Sequence, residues 1–425
     1  MRRQPRVVNT LSVAFDTVSL RVYRNPTSPA SRDEMTTATL TVSTDIDHYL
    51  EAAPSFVQRV SDAADQIDAQ RQIPTDLAAD MADAGFFRLL LPGELGGAEL
   101  AHPDFLRILE MFAAADASTA WCLNQNNVFS TRSTRMAMST AREIWGERRG
   151  VVTNGPPAAG SKSVPVPGGY RLSGHWNFSS GSDHATWIAA LAPVIPDNGA
   201  GSDGQPPQMR LHLMPIDQVR MVDLWQVAGL RGTGSFSFQV DDLFVPEDHS
   251  FVQEGSSWSD GPLYGIPTTL LFATGFATVA LGVARKSLDI AIVGGSRMPY
   301  RGGVLLRDQQ TTQRAIGEAH ALHSSAKAFL RESHARLWES ACAGGSLALE
   351  ERIQLRVAAT HAIRTSAQVV DTAYTLCGSG AIFQTNPIQR RFQDIHVITQ
   401  HTQGHYMHYE TAGQFLLGLD PQGVF

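Results

Sequence analysis

Four histidines crowd one short stretch near the C-terminus: His396, His401, His405 and His408. An imidazole titrates near neutrality, so a neutral one can donate a hydrogen bond or take a proton from a phenol. The stretch reads Arg390-Arg391-Phe392-Gln393-Asp394-Ile395-His396, then Gln400-His401-Thr402. Two plainer readings stand beside the catalytic one, a metal cluster and a solvated face. The spacing matches no standard zinc pattern and no nearby cysteine joins it, so no metal site is expected. A second polar group lies mid-chain, where Trp176-Asn177-Phe178-Ser179-Ser180-Gly181 sets two hydroxyls between a predicted strand and a glycine turn. Those hydroxyls could donate to the edge of a planar ligand; an ordinary Ser-Gly turn is the alternative.

The elements that must position these groups can be read from periodicity. Residues 45–150 read as helices, with Ile46, Tyr49, Leu50, Phe56 and Val60 at near-helical spacing, Pro74-Thr75 opening a helix and Gly85 closing it. Ser118 is expected to cap the helix that carries Trp121. From 151 to 248 short β-rich runs alternate with Gly, Pro, Asp and Ser, with a loop from Asp197 to Pro207. Helical periodicity returns, and 264–294, 308–343, 347–377 and 385–418 each read as one helix, four in all, which suggests a bundle.

At 425 residues the chain can hold several domains, and a net charge of −7, evenly spread, offers no basic stripe for nucleic acid. Cys122, Cys342 and Cys377 are far apart, which fits a reducing cytoplasm rather than a disulfide framework. The run from Ile266 to Val283 is interrupted by four threonines and two glycines, so it reads as a buried helix and not a membrane span. The first 34 residues are rich in arginine, serine and threonine. A transit peptide shares that composition, but with no cleavage signal evident, a start called too early, before Met35, is favoured. The expected division is 1–40, a poorly structured extension; 41–150, a helical domain; 151–248, a β-domain; and 249–425, a helical bundle.

Five segments in order resemble the acyl-CoA dehydrogenase superfamily. They are Gly85–Pro92 with Leu95-Gly96-Gly97, Gly168–Gly181, Gly229–Ser235 followed by Val240–Glu247, Gln310–Phe329, and Cys377–Pro421. The resemblance implies an α+β, mainly α fold: an N-terminal helical domain, a middle β-domain and a C-terminal four-helix bundle. A dehydrogenase of that superfamily would carry its proton-abstracting Glu near His401, or on the first bundle helix near Phe272. Here the first slot holds His401-Thr402, and Gly261–Leu288 contains no acid. Glu410 comes about two helical turns too late when counted from Asp394.

Trp176–His184 and Arg391-Phe392-Gln393-Asp394-Ile395-His396 with Gln400-His401 look most like the oxygenase components of two-component flavin monooxygenases. The resemblance implies reduced flavin (FMN or FAD) from a separate reductase, O2, hydroxylation of a hydrophobic aromatic molecule through a flavin 4a-hydroperoxide, and a cytoplasmic homotetramer. It implies that His401 with Ser179 or Ser180 manages the oxygen chemistry. Trp121, Gly155-Pro156-Pro157, Trp176, Phe178, Thr402 and the Ser379-Gly380 turn of a neighbouring subunit would contact flavin, with Arg297 on its phosphate and Arg301 and Arg307 as rivals. Asn126 and Asn127 would face the substrate. The alternatives are an FAD-dependent acyl-CoA dehydrogenase using Glu410 and a non-catalytic partner subunit of the same fold.

Overall fold

The computed structural model describes residues 43–195, 207–252, 255–299 and 302–425. The expected extension at 1–40, the loop from Asp197 as far as residue 206, and Arg301 lie outside the described residues.

Six helices come first: α1 (Ile46–Asp62), α2 (Ala64–Gln70), α3 (Thr75–Asp83), α4 (His102–Ala115), α5 (Ala117–Ser130) and α6 (Met138–Trp145). Gly85 takes φ 85° just past α3, a left-handed conformation that glycine adopts without a Cβ penalty. The cap of α5 is Asp116, not Ser118: its carboxylate accepts the Thr119 N–H at 2.7 Å, and Ser118 already lies inside the helix. Asp116 holds the extended backbone a capping residue needs.

Eight strands follow: β1 (Val152–Gly155), β2 (Lys162–Val166), β3 (Gly169–Ser179), β4 (Trp187–Pro193), β5 (Met209–Pro215), β6 (Arg220–Val222), β7 (Phe236–Pro246) and β8 (Ser250–Val252). They form two four-stranded sheets, β1-β4-β5-β8 and β2-β3-β7-β6. Leu172, Trp176 and Phe238 of one sheet bury against Ile188, Ala190 and Met214 of the other. All eight strands fall within 152–252, close to the 151–248 span read as β-rich.

The remaining helices are α7 (Pro262–Gly265), α8 (Thr268–Gly294), α9 (Gln310–Ala343), α10 (Leu349–Cys377), α11 (Pro387–Gln400) and α12 (Met407–Leu416). Helix α8 is apolar nearly all round and buried along most of its length. A Cβ on Gly275 would fall 1.8 Å from the Asn124 amide of α5, and one on Gly282 would fall 2.5 Å from Ala113 of α4. The two glycines therefore let α8 pack directly on the N-terminal helices. No helix among the described residues is long and apolar enough to cross a membrane.

The expected single helix 385–418 is broken. Helix α11 ends at His401, whose backbone is extended (φ −69°, ψ 147°), a short 3-10 turn spans Thr402–Gly404, and α12 restarts at Met407. Tertiary contacts hold the break. Arg364 donates to the carbonyls of Thr399 (3.0 Å) and Gly404 (2.7 Å), and Thr360 donates to that of Gln403 (3.1 Å). No local breaker marks His401, so helical periodicity runs through it unnoticed.

Candidate active site

A cavity of about 590 Å³ opens where α5, β1, the end of β3, α8 and the end of α11 meet. Helix α5 contributes Trp121, Gln125 and Phe129, spaced four apart and hence on one face. Helix α8 contributes Phe272 and Phe276, again four apart. The break after α11 contributes His401, Thr402 and Gln403.

Trp121 and Phe276 stack at a centroid distance of 3.7 Å and 20°. The His401 ring stands edge to face against both, 5.1 Å from Trp121 at 89° and 4.9 Å from Phe276 at 69°. Its Nδ1 accepts the Gln403 N–H at 3.4 Å, which puts the proton on Nε2, and Nε2 has no hydrogen-bond partner among the described residues. Burial, with the Arg356 guanidinium adding to it, pulls the imidazole down to about 4. His401 is thus a neutral donor at neutral pH, facing the cavity.

Arg356 is a group that the sequence reading missed. It is 1% exposed, donates to Gln403 Oε1 and to Thr269 Oγ1 (2.6 Å), and so anchors the turn that follows His401.

A bulge explains where the mid-chain motif goes. The pairing of β3 with β7 slips between Trp176 and Ser179, and Phe178 takes φ 60°. Trp176 is therefore not a cavity residue. It is fully buried between the sheets, stacked on Phe238, with its indole N–H donating to Leu191 O at 2.8 Å. Phe178 turns out onto the cavity wall. Ser179 points away beneath Gly155, where a Cβ would meet its Oγ at 2.8 Å, and that Oγ has no hydrogen-bond partner among the described residues. Of the two serines, only Ser180 lines the cavity.

The Ser180 hydroxyl belongs to a directed chain. Trp121 Nε1 donates to Ser180 Oγ (3.2 Å), Ser180 and Ser235 share 2.7 Å, Ser235 and Thr233 share 2.6 Å, and Thr233 Oγ1 donates to Leu230 O (2.8 Å). Each hydroxyl has one proton. Thr233 spends its own on Leu230, so Ser235 must donate to Thr233 and Ser180 to Ser235. Ser180 is thereby left as an acceptor, not the donor expected of it. Leu230 itself is held by Asp394, which accepts its N–H at 2.7 Å.

Gly155 and Pro156 line the cavity, whereas Pro157 bridges to Trp176 and does not. Asn126 and Asn127 face away from it, contrary to expectation. Asn126 donates to Val152 O and meets His184, and Asn127 ties α5 to the Phe86–Leu90 turn. The polar pair that does face the cavity is Gln125 with Asn154. Gln125 was legible as the residue one turn beyond Trp121.

Arg297 does not line the cavity either. It donates to the carbonyls of Cys377 (2.6 Å) and Leu376 (3.2 Å), closing the C-terminal end of α10. Gly378, at φ 63°, passes so close that a Cβ would lie 3.2 Å from the Arg297 guanidinium. Arg297 and the Ser379-Gly380 turn are thus neighbours, away from the cavity wall.

No Asp or Glu is among the described lining residues, and Arg132 is the one side chain there with a formal charge. Glu410 is exposed on α12. Both positions at which a dehydrogenase would present its base face the cavity, and they hold His401 and Phe272.

The fold and this aromatic-walled site, with no acid among its described lining residues, define a flavoprotein oxygenase rather than a thioester dehydrogenase. Residues 44–143 match the acyl-CoA dehydrogenase N-terminal domain and residues 274–406 its C-terminal domain. The chain belongs to that family, among the oxygenase components of two-component flavin-dependent monooxygenases. It is 31% identical to an indole-3-acetate monooxygenase of Pseudomonas putida over 88% of this chain and 95% of the relative. It is 25% identical to the oxygenase component of an FADH(2)-dependent resorcinol hydroxylase of a Rhizobium species, over 87% and 96%. The crystal structure of the HsaA monooxygenase from M. tuberculosis superposes with a TM-score of 0.81 at 26% identity, covering 89% of this chain and 99% of that one. The cavity fits a flavin by its own chemistry, with flat aromatic walls, a neutral donor, hydroxyls at one edge and a volume within the roughly 300–1,000 Å³ of small-molecule sites.

Proposed function

We propose that the protein hydroxylates a hydrophobic, aromatic small molecule, using O2 and reduced flavin (FMN or FAD) supplied by a separate reductase. The observation that supports this reading is the cavity wall itself, which carries a neutral imidazole and no carboxylate among its described residues. Bound reduced flavin supplies the electrons that activate O2, one atom of which goes to the substrate and the other to water. The chain's own residues do the rest. His401 offers its Nε2 proton to developing negative charge on oxygen. The buried rings of Trp121 and Phe276 keep water from it, so that donor acts in a low-dielectric space. Thr402 and Ser180 meet the cofactor's polar edge.

The finer reading is a cytoplasmic homotetramer in which Arg297 and the Ser379-Gly380 turn of one copy reach the flavin of the next. Three unpaired cysteines agree with a reducing compartment.

Mixing the protein with chemically reduced flavin and then oxygen tests the reading. A long-lived oxygenated-flavin absorbance, with product when an aromatic substrate is added, is expected. Tightly bound FAD bleached by an acyl-CoA would establish a dehydrogenase instead. No affinity for flavin in either redox state would leave a non-catalytic partner subunit.

A further inference from the structure

We propose that Gln125 and Asn154 form a neutral amide fork that selects substrates carrying a phenolic hydroxyl. The inference rests on the oxygenase reading above. Gln125 Nε2 donates to Asn154 Oδ1 at 2.6 Å, joining α5 to β1 across the cavity wall. Neither side chain makes another hydrogen bond among the described residues. The pairing uses one carbonyl and one amide proton. It leaves the Gln125 Oε1 as an acceptor and the Asn154 Nδ2 as a donor, on a wall otherwise rich in aromatic and aliphatic groups. If both amides are turned over, the fork still offers a free carbonyl acceptor and free amide N–H donors.

A hydroxyl is the small group that answers both, donating to the one and accepting from the other. An ether oxygen leaves the acceptor unanswered, and a ring N–H leaves the donor unanswered. A carboxylate sets like partial charges against Gln125 Oε1. An unanswered half-buried amide is costly, which is how such a site discriminates. The neighbours suit a ring. Trp121 lies one helical turn before Gln125 and Phe129 one turn after, about 6 Å either way along α5.

The test compares a phenol, its methyl ether, the ring without oxygen, and indole as the N–H probe. Wild-type enzyme is supplied with reduced flavin and O2. We expect the phenol to exceed the other three by about 10²-fold or more in kcat/KM. In Gln125→Met and in Asn154→Leu, that preference should shrink at least about tenfold, mainly through KM, with unchanged circular dichroism. Wild-type turnover with no preference for the phenol, or a preference kept by both folded variants, overturns the fork. Wild-type protein that yields neither product nor an oxygenated-flavin absorbance overturns the oxygenase reading instead. The wild-type analogue series decides even if a variant does not fold.

Discussion

The imidazole of His401 meets the indole of Trp121 edge to face, with ring centres 5.1 Å apart and planes at 89°. The two residues are 280 positions apart in the chain, and their meeting couples the break after α11 to the hydroxyl chain of the β-region. The Trp121 N–H is fixed by Ser180, and His401 is fixed by Gln403 and, behind it, by Arg356. Each ring therefore arrives with its orientation set before any ligand binds, which is what a preorganised site requires.

Removing the imidazole should cost chemistry and spare the fold. In His401→Ala, product per reduced flavin should fall about 10²- to 10⁴-fold, the range of a lost acid–base group, and hydrogen peroxide should appear in its place. Circular dichroism should not change. Fully coupled turnover in that variant would remove His401 from the chemistry.

Ser180→Ala cuts the hydroxyl chain and leaves the Trp121 N–H without an acceptor. A loss of about 1–3 kcal/mol is expected, the cost of orphaning a buried donor. Ser235→Ala breaks the same chain, so the double variant should lose less than the sum of the two. Additive losses in denaturant melts would show that the hydroxyls act independently.

Phe178 holds φ 60°, which costs a non-glycine residue about 1–2 kcal/mol. Phe178→Gly relieves that strain but adds unfolded-chain entropy, so stability should change by less than about 1 kcal/mol. The cavity wall is lost all the same. Peroxide leakage should rise while the melting temperature barely moves; a large drop in melting temperature would mean the ring is needed for folding.

Acid should destabilise the folded chain before it silences His401. Burial holds His184, His334 and His401 at about 4 and His212 at about 3, against 6.5 in the free side chain. Between 6.5 and 4 the unfolded chain binds protons that the folded one refuses. Stability from these groups is complete above 6.5 and is lost as pH falls through about 4. Asp394 and Asp183, pushed up to about 7 and about 6 mainly by burial, and Asp68, also raised by burial, work in the opposite sense, but the four histidines, joined by His408 at about 4, outnumber them. The melting temperature should therefore drop between pH 6.5 and 4.5. The rate per folded molecule should stay level over that span, since His401 remains neutral. An acid limb near pH 6.5 would contradict the placement of this ring.

The sequence by itself determined the order of helices, strands and bundle, because amphipathic periodicity and turn residues are local properties. The family resemblance in the sequence singled out His401 among four histidines and exposed the missing acid on Gly261–Leu288, because the register of a motif can be read without coordinates. Orientation was a different matter. A bulge at Phe178 reversed which side chains of β3 reach the cavity, burying Trp176 and Ser179 and leaving Phe178 and Ser180 on the wall. Each single residue along α5 rotates the side chain by about 100°, so Gln125 and not Asn126 or Asn127 looks inward. The helix break at His401 is imposed by Thr360 and Arg364 of α10, partners that lie 41 and 37 residues away. Which groups meet depended on non-local hydrogen bonds and on left-handed residues such as Phe178 and Leu230, and only tertiary packing decides those.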